Sequence, residues 1–340
     1  MPPEPGGTTG LKASPSPLRG RDFARLERRL IRKLRAVLGP VNAEAVAAVE
    51  ATLNAVDWTD PAGWRSVVAS VHRQLRVLRD VVPGEVEPVL AKAVTDMVRA
   101  TRIACIADLT NKHRVRSRGA KAVFGTPNPQ TLARLQRVRR IVVKQGWAEH
   151  IIAFSDSARE MLLTAAEQGL SRHAVGERLF ELFGTLNPAS KRPLGEDYWS
   201  LVGSAWLNTA RNRVNLDTYH DAGITRYRIL AVMDERTSPV CAALNGTVFS
   251  VADQLEREER ACRAETLDEL RAVSPWLHAR DGKDGKPETV GFRGPGHKFV
   301  AVARREGKTF SRLDSPDKLQ RLGVGMPPYH ARCRTTVVPV

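Results

Sequence analysis

The apolar period of this chain changes once, at Gly223, and that change limits the folds open to it. Before that glycine, apolar residues recur at three- and four-residue steps; after it, "RYRILAV" alternates as a strand does. The expectation is an α+β protein, with a largely helical N-terminal body and a small mixed α/β C-terminal unit.

Within the helical part, Phe23, Leu26, Leu30, Leu34 and Val37 mark the inner side of a basic helix that Gly39-Pro40 is expected to stop. Further helices are predicted at roughly 43–56, 61–81 and 85–113, the second opened by Asp60 as N-cap with Pro61 in its first turn. Ser171 opens another. In "EDYWSLVGSAWLNTARNRVNLDTYHDAG", Trp199, Val202, Trp206, Ala210 and Val214 fall near one face, a core pattern. Residues 1–18, rich in Pro, Gly, Ser and Thr, bury too little to repay ordering and are expected to be disordered. They lack the apolar stretch of a signal peptide, and no run of eighteen apolar residues occurs, so neither secretion nor membrane insertion is expected.

Lys and Arg number 53 against 37 Asp and Glu, a formal charge of +16 that favours polyanions. Between Asp108 and Glu149 there is no acid. That stretch closes a basic helical region over 19–148. In it Arg114, Arg116, Arg118, Lys121, Arg134, Arg137, Arg139, Arg140 and Lys144 are candidates for contact with DNA phosphates without sequence preference. Aromatic residues are sparse there, so stacking on single strands is not expected.

After Gly223, "GTVFS" and the closing "CRTTVVPV" read as further strands. Between them, at about 251–298, lies an insertion: a charged, helix-prone piece, "ADQLEREERACRAETLDELRAV", then the Gly-rich "ARDGKDGKPETVGFRGPG", read as flexible. The four cysteines, Cys105, Cys241, Cys262 and Cys333, are too scattered for a disulfide framework and suit a reduced compartment. Two of them stand out: Cys241 inside what reads as a tight Ser-Pro turn, "RTSPVCAALNG", and Cys333 three residues after His330 in "PPYHARC".

The order of "NTARNRVNLDTYHDAGITRYRI", "MDERTSPVCAALNGTVF" and "MPPYHARCRTTVVPV" resembles the minor head, or head morphogenesis, proteins of tailed bacteriophages, typified by the F protein of phage Mu. The likeness covers about 149–340 and rests on Asp234, Arg236, Pro239, Cys241, Gly246, Pro327, Pro328, His330, Cys333 and Arg334. It implies a structural protein that joins procapsid assembly at the portal. The implied partners are the portal and the capsid or scaffold proteins, with DNA nearby and no membrane. The implied location is the virion, with the host cytoplasm during assembly. The chain departs from the pattern at Ser238, where the family often has a first cysteine, and at Thr209-Ala210, where it has a threonine-glutamate pair.

Three readings of Cys241, His330 and Cys333 stand side by side. They could form a metal-free clasp of buried thiols, or a zinc site whose fourth ligand comes from Asp234, Cys262 or His297. They could also be a thiol nucleophile and its base, oriented by Asp234, in an enzyme or toxin effector. The first is the favoured reading, so no cofactor is expected, with zinc as the alternative. Against the third, Cys241 lacks an oxyanion-forming glycine turn, no phosphate-binding loop is present, and seven residues after Cys333 leave no room for a toxin domain. The expectation is therefore a protein that is not an enzyme.

Overall fold

The computed structural model describes residues 20–58, 60–112, 129–184, 195–294, 298–307 and 309–340. The expected disorder of residues 1–18 falls outside them, as do Arg114, Arg116, Arg118, Lys121 and His297.

The fold is α+β. Two long helices, α1 (Gly20–Ala55) and α2 (Pro61–Lys112), form an antiparallel hairpin. Thr52 Oγ1 lies 2.7 Å from Ser70 Oγ near its turn. Asp60 caps α2 as expected, its carboxylate accepting from the Ala62 amide at 2.8 Å. The predicted stop at Gly39-Pro40 and the predicted break between residues 81 and 85 do not occur: α1 runs through Pro40, and α2 through Pro83 and Pro88. An internal proline costs a helix about 3 kcal/mol. Here Leu34, Leu38, Ala45 and Val49 on α1, and Leu78, Val82, Val86 and Leu90 on α2, stay buried in register across the prolines. Burial at about 1.5–3 kcal/mol per large apolar side chain outweighs the local loss.

Along this hairpin packs a third rod. Helix α3 (Pro129–Ile141) passes through a π-helical turn (Val142–Gly146) into α4 (Trp147–Glu167), and α5 (Arg172–Gly184) follows. Trp147 Nε1 donates to the Leu78 carbonyl at 3.0 Å. The π turn aims Gln145 outward, where it accepts from the Leu267 amide at 2.7 Å and so anchors the insertion. Helix α6 (Glu196–Asp221) crosses the body. It approaches α1 closely at Gly203, where a Cβ would stand 2.8 Å from Leu30 Cδ2.

The C-terminal part holds β1 (Arg226–Leu230), α7 (Pro239–Leu244), β2 (Val248–Ser250), α8 (Val251–Arg263) and α9 (Leu267–Val273). There follow β3 (His278–Asp281), β4 (Pro287–Arg293), β5 (Phe299–Glu306), β6 (Thr309–Arg312), α10 (Pro316–Arg321) and β7 (Thr336–Pro339). The three strands foreseen form one antiparallel sheet in the order β2-β1-β7. The stretch read as flexible is instead the β3–β4 hairpin of a second, four-stranded antiparallel meander, β3-β4-β5-β6. Gly285, between β3 and β4, and Gly307, just after β5, take positive φ of +67° and +62°.

Two hydrophobic clusters result. One fills the helical body from Phe23 to Val214 and runs without a break across residue 149, so the boundary drawn there marks no gap in packing. The other joins the sheets to Cys105 and Leu109 of α2 and to Leu216 and Tyr219 of α6. Helix α6 is thus seated in both cores.

The body also absorbs two of the basic residues assigned to DNA. Arg139 is 2% exposed and donates to Glu87 of α2. Arg134 pairs with Glu259 of α8 at 2.6 Å. Both hold helices together, whereas Arg137, Arg140 and Lys144 are exposed, Arg140 with Glu87 3.7 Å away. Reversing Arg139 to Glu places two carboxylates in one buried contact and is expected to destabilise the fold by about 3 kcal/mol or more. Arg137→Glu should change stability by less than about 0.5 kcal/mol. Urea unfolding of the two variants checks both values.

Candidate functional site

The two cysteine blocks, whose Cys241 and Cys333 stand 92 positions apart, meet in space. The Ser-Pro "turn" is in fact the start of α7: Ser238 is its N-cap, accepting from the Cys241 amide at 3.2 Å, and Pro239 occupies the first turn. This geometry turns Cys241 inward, to 4% exposure, while Gly246, at φ +76°, reverses the chain into β2. Upstream, Asp234 nucleates a rigid turn. Its Oδ1 accepts from the Arg236 amide at 2.9 Å, and its own amide donates to Thr237 Oγ1 at 2.7 Å.

The second block arrives from α10 through the cis Pro327–Pro328 peptide. Cys333 is 2% exposed, and its Sγ lies 3.6 Å from Cys241 Sγ. His330 Nε2 lies 3.1 Å from Cys241 Sγ and 2.7 Å from Ser238 Oγ, and His330 Nδ1 lies 2.6 Å from the Ala331 carbonyl oxygen. All four cysteines are free.

The electrostatics of the pair are unequal. The hydrogen bond between the thiols, reinforced by burial, raises the Cys241 pKa. The same bond lowers that of Cys333 against the opposing effect of burial, with help from His330. Burial works against protonation of His330, but the hydrogen bond and charge of Cys333 prevail and raise its pKa. Cys333 therefore gives up its proton first.

Cys241, His330 and Cys333 form a group that could hold a metal ion, their ligand atoms all within 4.8 Å of one another. Two thiolates at about 2.3 Å from a tetrahedral ion stand about 3.8 Å apart, close to the separation seen here. Of the fourth ligands considered, Asp234 binds Arg334 instead, at 2.8 Å through Nη1, and Cys262 packs against the helical core. Ser238 Oγ is a further oxygen at the site, on the Nε2 side of His330. The triad order of a thiol enzyme is not assembled, since the Asp234 carboxylate faces Arg334 and His330 Nδ1 faces a backbone carbonyl.

What holds the second block in place escaped the sequence reading. From α6, Asn208 Nδ2 donates to the Cys333 carbonyl at 2.8 Å. Arg211 Nη2 donates to the Thr335 carbonyl at 3.1 Å, and its guanidinium lies over the Phe23 ring at 4.4 Å. Asn212 Nδ2 donates to the Pro327 carbonyl at 3.1 Å, while its Oδ1 accepts from Thr336 Oγ1 at 2.9 Å and the Val337 amide at 3.2 Å. Asn208 and Asn212 are fully buried and Arg211 nearly so. The signal was present in "NTARN": polar residues at i, i+3 and i+4 on a helix otherwise buried must satisfy something.

Comparison of the chain with protein-family models, curated proteins and solved structures finds no match.

Two outcomes follow from this geometry. Asn212→Ala strands buried partners on the final segment and should cost about 3 kcal/mol in urea unfolding. The Arg334 hydrogen bond, helped by the Arg236 amide and both cationic charges, outweighs desolvation and holds the Asp234 pKa well below the usual carboxylate range. A depressed folded pKa stabilises above the unfolded value of about 3.9, and that contribution is lost as pH falls through the folded value. In an NMR titration the Asp234 carboxyl should accordingly titrate well below pH 3.9, and should move back toward it in Arg334→Ala.

Proposed function

We propose that this chain is a structural protein of a tailed-phage head, acting in procapsid assembly at the portal, with its C-terminal unit as the assembly module. The observation that carries the reading is the meeting of residues 234–246 with 327–334: the two blocks that resemble the head morphogenesis proteins close on each other at the Cys241, His330 and Cys333 group. The buried thiols and the engagement of Asp234 with Arg334 favour a closing role over turnover. In this reading the site holds zinc through Cys241 Sγ, His330 Nε2 and Cys333 Sγ. The ion supplies closure of the small domain rather than chemistry. The portal and the capsid or scaffold proteins are the partners, and the virion is the location. Arg137, Arg140 and Lys144 are what remains, among the described residues, of the expected DNA contact.

Co-expression with a candidate tailed-phage portal protein, followed by size exclusion, tests the assembly role. A co-eluting complex is expected, and a chain that elutes alone from an intact portal overturns it. Metal analysis of the same peak should find about one zinc per chain, lost in Cys333→Ser. A metal-free wild-type chain would leave the two thiols as a clasp without an ion.

A further inference from the structure

The geometry points to a second surface, the outer face of α1, as the main binding site for the phosphate backbone of duplex DNA. The inference shares its kind of partner with the reading above but places it on residues that reading does not use.

At 100° per residue, Arg21, Arg25, Arg28, Arg32 and Arg35 fall within an arc of about 80°, a single ladder along about 21 Å of helix. All five are exposed. Phe23, Leu30 and Leu34, on the opposite side, are buried in the helical core. Among the described residues no carboxylate pairs with Arg28 or Arg32, and Arg25 faces Asp22 at 3.6 Å across solvent. Beside the ladder, Arg29 and Lys33 line a groove between α1 and α2 that also takes in Lys92 and its ion-pair partner Asp96, 3.5 Å apart.

Three features select the partner. The cations of the ladder are all arginine, whose planar fork matches phosphate oxygens two at a time. Their spacing is regular, and 21 Å spans about six phosphates of one strand at 3.4 Å per nucleotide. No aromatic residue stands among them to stack on a base, so the contact follows the backbone and not the sequence. A lipid surface fits less well. One window within Arg21–Ala55 is apolar enough by length and composition to cross a membrane. Yet the apolar side that would have to enter lipid, including Leu38, Val49 and Leu53, is already buried in the protein core.

The test uses the full chain and a random-sequence duplex, with affinity measured by fluorescence anisotropy across a salt series. Arg25→Gln/Arg28→Gln/Arg32→Gln should bind at least about tenfold more weakly near 0.1 M salt. The slope of log K against log salt should fall by about 2.7, or 0.9 per lost contact. Its urea midpoint should match wild type, which separates lost contact from lost fold. Unchanged binding in this variant, with loss in Arg137→Gln/Arg140→Gln/Lys144→Gln, overturns the inference and leaves the DNA contact on α3. Failure of wild type to bind the duplex overturns both surfaces. Loss of binding to phosphatidylserine vesicles in the α1 variant, with duplex binding retained, assigns the ladder to lipid and likewise overturns the inference.

Discussion

The short polar row Asn208, Arg211 and Asn212 on α6 is the interaction on which the rest of this structure depends. Each side chain is buried, and each is hydrogen-bonded to the backbone of residues 327–337 or to its neighbour in the row, Arg211 through Nη2 while its Nε finds no partner among the described residues. Buried polar groups are costly unless paired, so the row accepts one placement of the C-terminal segment and penalises others. That placement sets β7 beside β1, with Val337 opposite Ile229, and brings Cys333 to Cys241. Arg211 extends the same restraint to α1 through the Phe23 ring. Burial lowers the Arg211 pKa to about 10, and the neighbouring Cys333 is the first of the groups that oppose this.

Because α6 takes part in both hydrophobic clusters, the helical body and the C-terminal unit share a beam rather than a linker. The insertion reinforces the joint. Helix α8 is tied to α3 through Arg134 and Glu259, and α9 to α4 through Arg271 and Glu149 at 2.7 Å. Relative motion of the two parts would have to break these contacts together with the row on α6. The candidate site and α1 accordingly belong to one framework, joined at Arg211, which touches both the Phe23 ring and the Thr335 carbonyl.

Much of the candidate site was legible in advance because its chemistry is local. Cys241 after a Ser-Pro pair, and His330 three residues before Cys333, are patterns that a reader can find without knowing the fold. Their meeting could be anticipated only as one of several outcomes. Ser238 shows why: as a residue type it looked like a missing cysteine, whereas in the structure it is a helix cap whose hydroxyl also reaches His330. Arg139 shows the reverse error. Its charge and neighbours suggested phosphate, but Glu87, fifty-two positions away, claims it.

Readable from the chain alone are the class of the fold and the location of part of its elements: helices before Gly223, strands at Arg226, Val248 and Thr336, and helix ends at Asp60, Ser171 and Gly223. Periodicity and capping act over a few residues, so they can be read from the chain directly. The tertiary structure decided whether helices survive their prolines, since burial in register across Pro40, Pro83 and Pro88 is a property of the hairpin and not of either strand of sequence. It also decided that the glycine-rich stretch after residue 278 becomes a hairpin, because β5 supplies the neighbour that its hydrogen bonds require. And it decided which cations remain at the surface. Charge is a property of a residue, but its availability depends on which carboxylate the fold brings beside it.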